Sequence, residues 1–211
     1  MGQKVSPTGL RIGIIRDWAS RWFGGASYQK YLADDLRVRR FLEKRLRGMA
    51  VDHIDIERNT DTITVVIATA RPGLVIGRGG SDVEKLKDQI RTLVKRKLAV
   101  RIEIQEIKNP EASAAVMAES IAEQIEKRLP FRRTMRMTLA KIIASRDVKG
   151  AKIQLGGRLD GAEIARLEHV ESGNLPLQSL RANIDFARAT AHTTFGTIGI
   201  KVWIYKGDTF E

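Results

Sequence analysis

A glycine-rich turn, Gly77-Arg78-Gly79-Gly80, is the clearest place in this sequence where residue types and spacing could do chemistry. Glycines let a backbone approach a ligand closely, and a helix that follows offers free N–H groups to an anion. Arg78 adds a positive charge at the tip. No Gly-Lys-Ser/Thr follows, which excludes a Walker loop, and Asp82 stands at the last glycine position of a dinucleotide fingerprint. The spacing fits a GXXG clamp for the backbone of single-stranded RNA, although a lone GXXG could be only a tight turn.

Composition also favours a polyanionic partner. The 211 residues hold 37 Lys and Arg against 25 Asp and Glu, a formal net charge of +12. The chain has no cysteine, which excludes disulfides, zinc thiolate sites and thiol nucleophiles, and its three histidines are scattered. We therefore expect no metal and no cofactor. No apolar run is long enough to cross a membrane and no signal peptide follows Met1, so we expect a cytoplasmic protein.

Much of the excess charge lies in the N-terminal quarter. Residues 1–27 are rich in glycine and lack periodicity, which predicts an extended basic arm. Its aromatic residues, Trp18, Trp22 and Phe23, lie among arginines, a pattern typical of stacking on bases and equally of docking onto a protein. From Tyr28 to Arg47 the apolar spacing predicts a helix with a separate basic stripe, which is either a solvated face or a phosphate-binding one. The candidate RNA-binding residues are Lys4, Arg11, Arg16 and Arg21 in the arm and Arg37, Arg40, Lys44 and Arg47 on the helix.

The elements around the glycine turn follow a recognisable order. Two alternating runs, 53–56 and 62–67, predict a hairpin, and Pro72 begins a short helix before the turn. Ser81 and Glu84 form the pattern of a capping box, which predicts a helix from there to about Lys97, before a strand from Val100 to Ile107. This order resembles that of a type II KH domain with a three-stranded sheet, here over residues 28–108. The order is helix, strand, strand, short helix, glycine turn, helix, strand.

Residues 109–211 predict a second, α/β domain. Asn109 and Pro110 suit the start of a helix that runs to about Leu129, and a second helix follows Pro130. Three or four strands complete a mostly antiparallel sheet, so the fold class of the whole chain is α+β. The predicted strands lie around residues 152–158, 164–172, 181–190 and 197–205. Arg132, Arg133 and Arg136 project from one side of the second helix, either as a binding surface or as a solvated face.

The whole chain resembles the S-three family of bacterial small-ribosomal-subunit proteins. The matching segments are residues 2–11, 75–80, 131–133, 192–196 and 199–204 and, most specifically, Gly157–Arg166. The resemblance implies a structural, non-enzymatic protein of the small-subunit head that binds small-subunit rRNA and contacts the tenth and fourteenth proteins of that subunit. It also implies that Arg132, Arg133 and Arg136 lie beside the mRNA entry channel and support mRNA unwinding with the fourth and fifth proteins. A free KH-type RNA chaperone or assembly factor, and a nucleotide-hydrolysing enzyme, are the alternatives.

Overall fold

A computed structural model describes residues 4–59, 61–94 and 98–210 of the chain. The chain divides into two compact units, of which one is Trp18–Lys108 and the other combines Met1–Asp17 with Asn109–Glu211. Residues 4–27, predicted as an extended arm, are therefore shared between the two units. They contain a short helix, α1 (Pro7–Leu10), a short strand, β1 (Ser20–Arg21), and a 3-10 turn at Gly25–Ser27.

The first unit is a four-stranded sheet covered by helices. Its strands lie in the order β1-β2-β3-β4, with β2 and β3 antiparallel and β1 and β4 each parallel to its neighbour. The core includes Leu42, Ile63, Ile67 and Ile90, all fully buried. The elements after β1 are α2 (Tyr28–Arg45), β2 (Val51–Arg58), β3 (Thr62–Thr69), α3 (Pro72–Ile76), α4 (Ser81–Val94) and β4 (Ala99–Glu106).

The first unit differs from the sequence prediction in two ways: its sheet has four strands and not three, because β1 pairs with β2 at one edge, and α4 begins without a capping box. A 3-10 turn over Arg78–Gly80 leads directly into α4, so Ser81 already has helical angles (φ −59°, ψ −33°). A residue with helical angles is not an N-cap, so the capping box predicted at Ser81 is not formed. The predicted helix end at Lys97 lies outside the described residues.

The second unit packs two helices on one face of an antiparallel sheet. Its strands lie in the order β6-β5-β8-β7. Alternate residues such as Ile153, Leu155 and Ile200 point into a core that also buries Ile121 and Met135. Its elements after α1 are α5 (Ala114–Glu126), α6 (Phe131–Ala144), β5 (Gly150–Gly157), β6 (Arg166–Gly173), β7 (Ala182–Thr193) and β8 (Gly196–Asp208).

The first helix of this domain begins later than predicted. Asn109 and Pro110 introduce a 3-10 turn over Pro110–Ala112, and α5 starts at Ala114. Ser113 is the N-cap, and its hydroxyl accepts a 3.3 Å hydrogen bond from the N–H of Val116. No helix in the described part of the chain is long and apolar enough to cross a membrane.

Candidate nucleic-acid interface

The glycine turn between α3 and α4 exposes its backbone. Gly77 has φ +72°, and a Cβ placed there would lie 2.3 Å from Oδ2 of Asp82, so only glycine fits. Around Gly79 and Gly80, no atom of the described residues lies within 4 Å of a Cβ position. Arg78 is exposed at the tip. A ligand can therefore approach this backbone closely, as an RNA-backbone clamp requires.

Electrostatics at the turn are mixed. Asp82 and Glu84 lie in the first turn of α4, where carboxylates interact favourably with the positive helix end. Asp82 forms a 3.2 Å ion pair with Lys85 at the surface, where both side chains are exposed to solvent. The attraction for a phosphate at this turn therefore comes from Arg78 and the exposed backbone more than from a concentrated positive charge.

The basic stripe of α2 faces away from the core of its unit. Val38 and Leu42 are buried, whereas Arg37, Arg40, Lys44 and Arg47 are exposed. Arg37 lies 3.7 Å from a carboxylate oxygen of Asp34. Among the described residues, Arg40 and Lys44 have no acidic partner. Sequence analysis left out Arg45, which is exposed in the last turn of the same helix.

The arginines of α6 form a second basic surface. Arg132, Arg133 and Arg136 are exposed, while Met135 and Leu139 of the same helix are buried. Arg132 lies 3.4 Å from Glu168, and its guanidinium is 5.7 Å from the ring centre of Phe131. In the part of the chain that the structure describes, Arg133 and Arg136 have no acidic partner. We call Arg132, Arg133 and Arg136 the α6 patch.

A fourth arginine lies beside the α6 patch. Arg166 at the start of β6 forms a 3.2 Å ion pair with Glu168 and lies 5.7 Å from the ring centre of Phe131. Arg132 and Arg166 therefore share both a carboxylate and an aromatic ring. Because Glu168 is paired with two cations, it offsets only part of their charge.

Two family models match this chain, and together they cover most of it. The model described as "KH domain" matches residues 37–112, and "Ribosomal protein S3, C-terminal domain" matches residues 121–204. The small ribosomal subunit protein uS3 of Levilactobacillus brevis is 47% identical over 208 residues, covering 99% of this chain and 94% of the relative. The uS3 proteins of Desulfitobacterium hafniense and Caldicellulosiruptor bescii are 49% and 48% identical, again over 99% of this chain and over 94% and 93% of the relatives.

The chain belongs to the uS3 family of small ribosomal subunit proteins. This confirms the predicted α+β fold, in which a KH domain precedes a second α/β domain. uS3 proteins are structural ribosomal proteins, so the chain is an rRNA-binding member of a non-enzymatic family, and the hydrolase alternative is set aside. Within the described residues, no group of three or more His, Cys, Asp or Glu could hold a metal ion.

Arg11 departs most from the expectation for a uS3-like basic arm. Its side chain is fully buried. Its Nε donates to the carbonyl oxygen of Ala182 (2.7 Å) and its Nη2 to those of Leu177 and Ser179 (3.1 and 2.7 Å). Nη1 donates to the carbonyl oxygen of Pro7 at 2.9 Å. Burial, together with the charge of Arg16, lowers the pKa of Arg11 from its ordinary value. Arg11 is thus a structural residue, and we correct its assignment as an RNA-binding candidate.

The other arm candidates have different surroundings. Arg16 forms a 2.7 Å ion pair with Asp185, whose second oxygen accepts from the N–H of Ala114 at the start of α5. Arg21 pairs with Glu57 at 3.3 Å, and about half of each side chain is exposed. Lys4 is exposed. Lys4 is therefore exposed and Arg21 half-exposed, whereas Arg16 is mainly committed to its own unit.

The arm's aromatic residues also divide by role. The indole Nε1 of Trp22 donates to Oδ2 of Asp35 at 2.6 Å, and its ring packs against Tyr28 and Tyr31. Trp18 and Phe23 are 63% and 95% exposed. Stacking on a base is therefore open to Trp18 and Phe23 but not to Trp22.

Proposed function

We propose that this chain is a structural rRNA-binding protein of the small-subunit head in the cytoplasmic ribosome, and that its α6 patch lies at the mRNA entry channel. The observation that carries the second part is the α6 patch itself, in which three arginines project to solvent from a helix whose opposite face is buried. In this proposal the protein contacts the tenth and fourteenth proteins of the subunit and acts at the entry channel near the fourth and fifth.

The geometry of the α6 patch suits a structured mRNA. Arg132 and Arg136 are four residues apart, which places them about 6 Å apart along the helix axis, and Arg133 lies between them. Guanidinium groups donate in pairs to phosphate oxygens and stay charged at any physiological pH. A cationic surface that holds the phosphates of separated strands opposes re-pairing of an mRNA hairpin, which is the unwinding role proposed here.

Translation through an mRNA hairpin tests the α6 patch. We expect subunits with Arg132→Ala, Arg133→Ala and Arg136→Ala to translate a stable hairpin more slowly, with little change on unstructured mRNA. A matched control removes three other exposed positive charges of the same unit, with Lys127→Ala, Lys141→Ala and Arg146→Ala. Equal speed of the α6 patch variant and the wild type through the hairpin would refute the entry-channel role.

The glycine turn is proposed to bind rRNA. Arg78→Gln removes the only side-chain charge at its tip without changing backbone conformation. If one phosphate contact is lost, the slope of log K against log salt falls by about 0.7–0.9. Filter binding to a transcript of the small-subunit head rRNA at several salt concentrations measures this slope, with Lys85→Gln as the control because that lysine is paired with Asp82. A slope that Arg78→Gln leaves unchanged would remove this turn from the interface.

A free RNA chaperone would share the fold and the basic surfaces. Sedimentation separates the two functions, because a structural protein stays with mature small subunits through a moderate salt wash. We expect the chain in the subunit fraction; release of most of it to the top of the gradient would favour the chaperone.

A further inference from the structure

The sheet of the second unit has a face that none of the surfaces above uses. Helices α5 and α6 cover one face, onto which Ile153 and Leu155 point. On the other face, toward one end of the sheet, lies a trough of about 280 Å³. Gly156 and Gly199, paired directly across β5 and β8, form its floor. The walls include Gln154, Leu167, Arg188, Thr190 and Lys201.

Two cations stand side by side in this trough. Arg188 and Lys201 are register partners on β7 and β8, so their side chains leave the same face of the sheet. Like charges directly opposite each other destabilise a sheet. Within residues 4–59, 61–94 and 98–210, neither side chain has a carboxylate partner; the Arg188 guanidinium lies 5.7 Å from the ring centre of Phe186. This pair therefore lowers the stability of the sheet unless an anion binds there.

Glu171, an acidic residue of the same face, is already engaged. Glu171 accepts a 2.5 Å hydrogen bond from Lys152, its cross-strand partner. That hydrogen bond and the Lys152 charge lower the pKa of Glu171, which stays ionised and paired. Glu171 therefore does not neutralise Arg188 and Lys201, and the trough keeps an uncompensated positive charge.

The glycines of the floor are not required by the fold. A Cβ on Gly199 would meet nothing closer than the carbonyl oxygen of Gly156, at 3.8 Å, and a Cβ on Gly156 nothing closer than Cδ1 of Leu167, also at 3.8 Å. Neither residue has a positive φ. Glycine inside a strand weakens it and often marks a place where a ligand or another backbone approaches closely. Here the two paired glycines leave a patch of backbone that no side chain covers, beside the two cations.

We propose that this trough binds a phosphate and its adjoining ribose or base from a strand of small-subunit rRNA. A single phosphate can accept hydrogen bonds from Arg188 and Lys201 together, and the sugar or base lies on the Gly156–Gly199 floor. Gln154 and Thr190 supply side-chain hydrogen-bonding groups at the walls. The inference rests on the rRNA-binding function proposed above and adds a sheet surface to the helical and loop surfaces described there.

Binding of the full-length chain to the head rRNA transcript tests the trough. We expect Arg188→Gln with Lys201→Gln to weaken binding on the order of tenfold, and to reduce the slope of log K against log salt by about 0.7–0.9, the value for one phosphate contact. The control Arg181→Gln with Lys127→Gln removes the same charge from cations already paired with Asp208 and Glu123, and should change affinity less than about twofold.

A second variant separates shape from charge. Gly199→Val fills the floor while it keeps both cations, and a β-branched residue suits a strand at this unstrained position. We expect weaker binding of the transcript by Gly199→Val with an unchanged circular dichroism spectrum and melting temperature no lower than the wild type's. Wild-type affinity of the double variant would overturn the proposal, and wild-type affinity of Gly199→Val alone would overturn contact of the RNA with the glycine floor.

Crosslinking in assembled subunits distinguishes RNA from an acidic protein as the occupant. We expect peptides from residues 182–205 to crosslink to rRNA nucleotides; crosslinks to a protein neighbour alone would overturn the RNA assignment. A wild-type chain that does not bind the transcript would overturn the rRNA-binding function and the trough together. Wild-type binding with an unaffected double variant would overturn the trough alone.

Discussion

Among the described residues, each unit of this protein buries one arginine, and the two arginines are held in opposite ways. Arg11 in the second unit donates only to neutral backbone carbonyls, four of them. Arg58 in the first unit lies between two carboxylates, with Nη2 2.7 Å from Asp35 and Nη1 3.6 Å from Asp34. The Arg58 guanidinium also lies 4.7 Å from the ring centre of Tyr31. Both arginines fix part of the N-terminal segment, since Arg11 belongs to that segment and Asp35 also binds Trp22.

The difference lies in what satisfies the buried charge. Four of the five N–H donors of Arg11 are matched by carbonyls, and no carboxylate in the described part of the chain pairs with it, so its position depends on the backbone of Pro7 and of the 175–182 segment. Arg58 has counterions, but its Nε and Nη1 have no hydrogen-bond partner among the described residues. Around a cation held by carbonyls, the stability of the fold should depend on how many hydrogen bonds the cation donates. Around a cation held by carboxylates, the stability should depend on the balance of buried charges.

The largest effect is expected from breaking the charge balance of the first unit. Arg58→Met leaves the buried Asp35 without its cation and leaves Asp34 only the exposed Arg37, 3.7 Å away, which should cost about 3–5 kcal/mol of unfolding free energy. Urea denaturation followed by hydrogen exchange of β2 and β3 peptides measures this loss in the first unit.

The matched control removes all three charges. Asp34→Asn and Asp35→Asn combined with Arg58→Met should recover much of the loss, because a well-packed neutral replacement for a buried ion pair is often nearly neutral. An Arg58→Met protein as stable as the wild type would show that charge balance does not govern this cluster.

Removing the carbonyl-bound arginine should have a smaller and more local effect. Arg11→Met leaves the carbonyls of Leu177, Ser179 and Ala182 without their donor, a loss of about 1–3 kcal/mol. We expect faster hydrogen exchange in residues 175–182 and in α1, with β2 and β3 unchanged. The exchange rate of these residues in Arg11→Lys should lie between those of the wild type and Arg11→Met, because an ammonium keeps the charge but has fewer donors in a different geometry. Equal exchange in Arg11→Lys and wild type would show that charge alone holds the segment.

These two arginines also mark the limit of what the sequence predicts. Strand β8 was predictable because Ile198, Ile200, Val202 and Ile204 alternate, and the exposed α6 patch followed from helical spacing around Met135. The burial of Arg11 was not predictable, because its partners are backbone carbonyls up to 171 residues away and carry no residue-type signal. Strand β1 has only two residues, too few to show a period.

Trp22 connects the N-terminal segment to Asp35, one of the two carboxylates beside Arg58. Trp22→Phe keeps an aromatic ring near Tyr28 and Tyr31 but removes the 2.6 Å hydrogen bond to Asp35. Because Asp35 keeps its bond to Arg58, we expect a loss of only about 1–2 kcal/mol, again measured by exchange of the first unit. A loss as large as that of Arg58→Met would mean that the indole, and not the ion pair, is the main support of the cluster.

The smallest effect is expected at a surface carboxylate, which contrasts with the buried Asp35. The Tyr205 hydroxyl donates a 2.6 Å hydrogen bond to Asp208, and this bond lowers the pKa of Asp208 and raises that of Tyr205. The charge of Arg181 further lowers the pKa of Asp208. A carboxylate whose pKa is lower in the folded state contributes stability above its unfolded-state pKa, and that contribution is lost as the pH falls through the folded-state value.

Tyr205→Phe should raise the pKa of Asp208 toward its ordinary range, so that acid unfolding begins at a slightly higher pH. Carboxyl-carbon NMR titration of Asp208 measures the change, and Arg181→Gln should shift it less, because the tyrosine hydrogen bond is the larger cause. A titration unchanged by Tyr205→Phe would assign the lowered pKa to the surrounding cations and not to the hydroxyl.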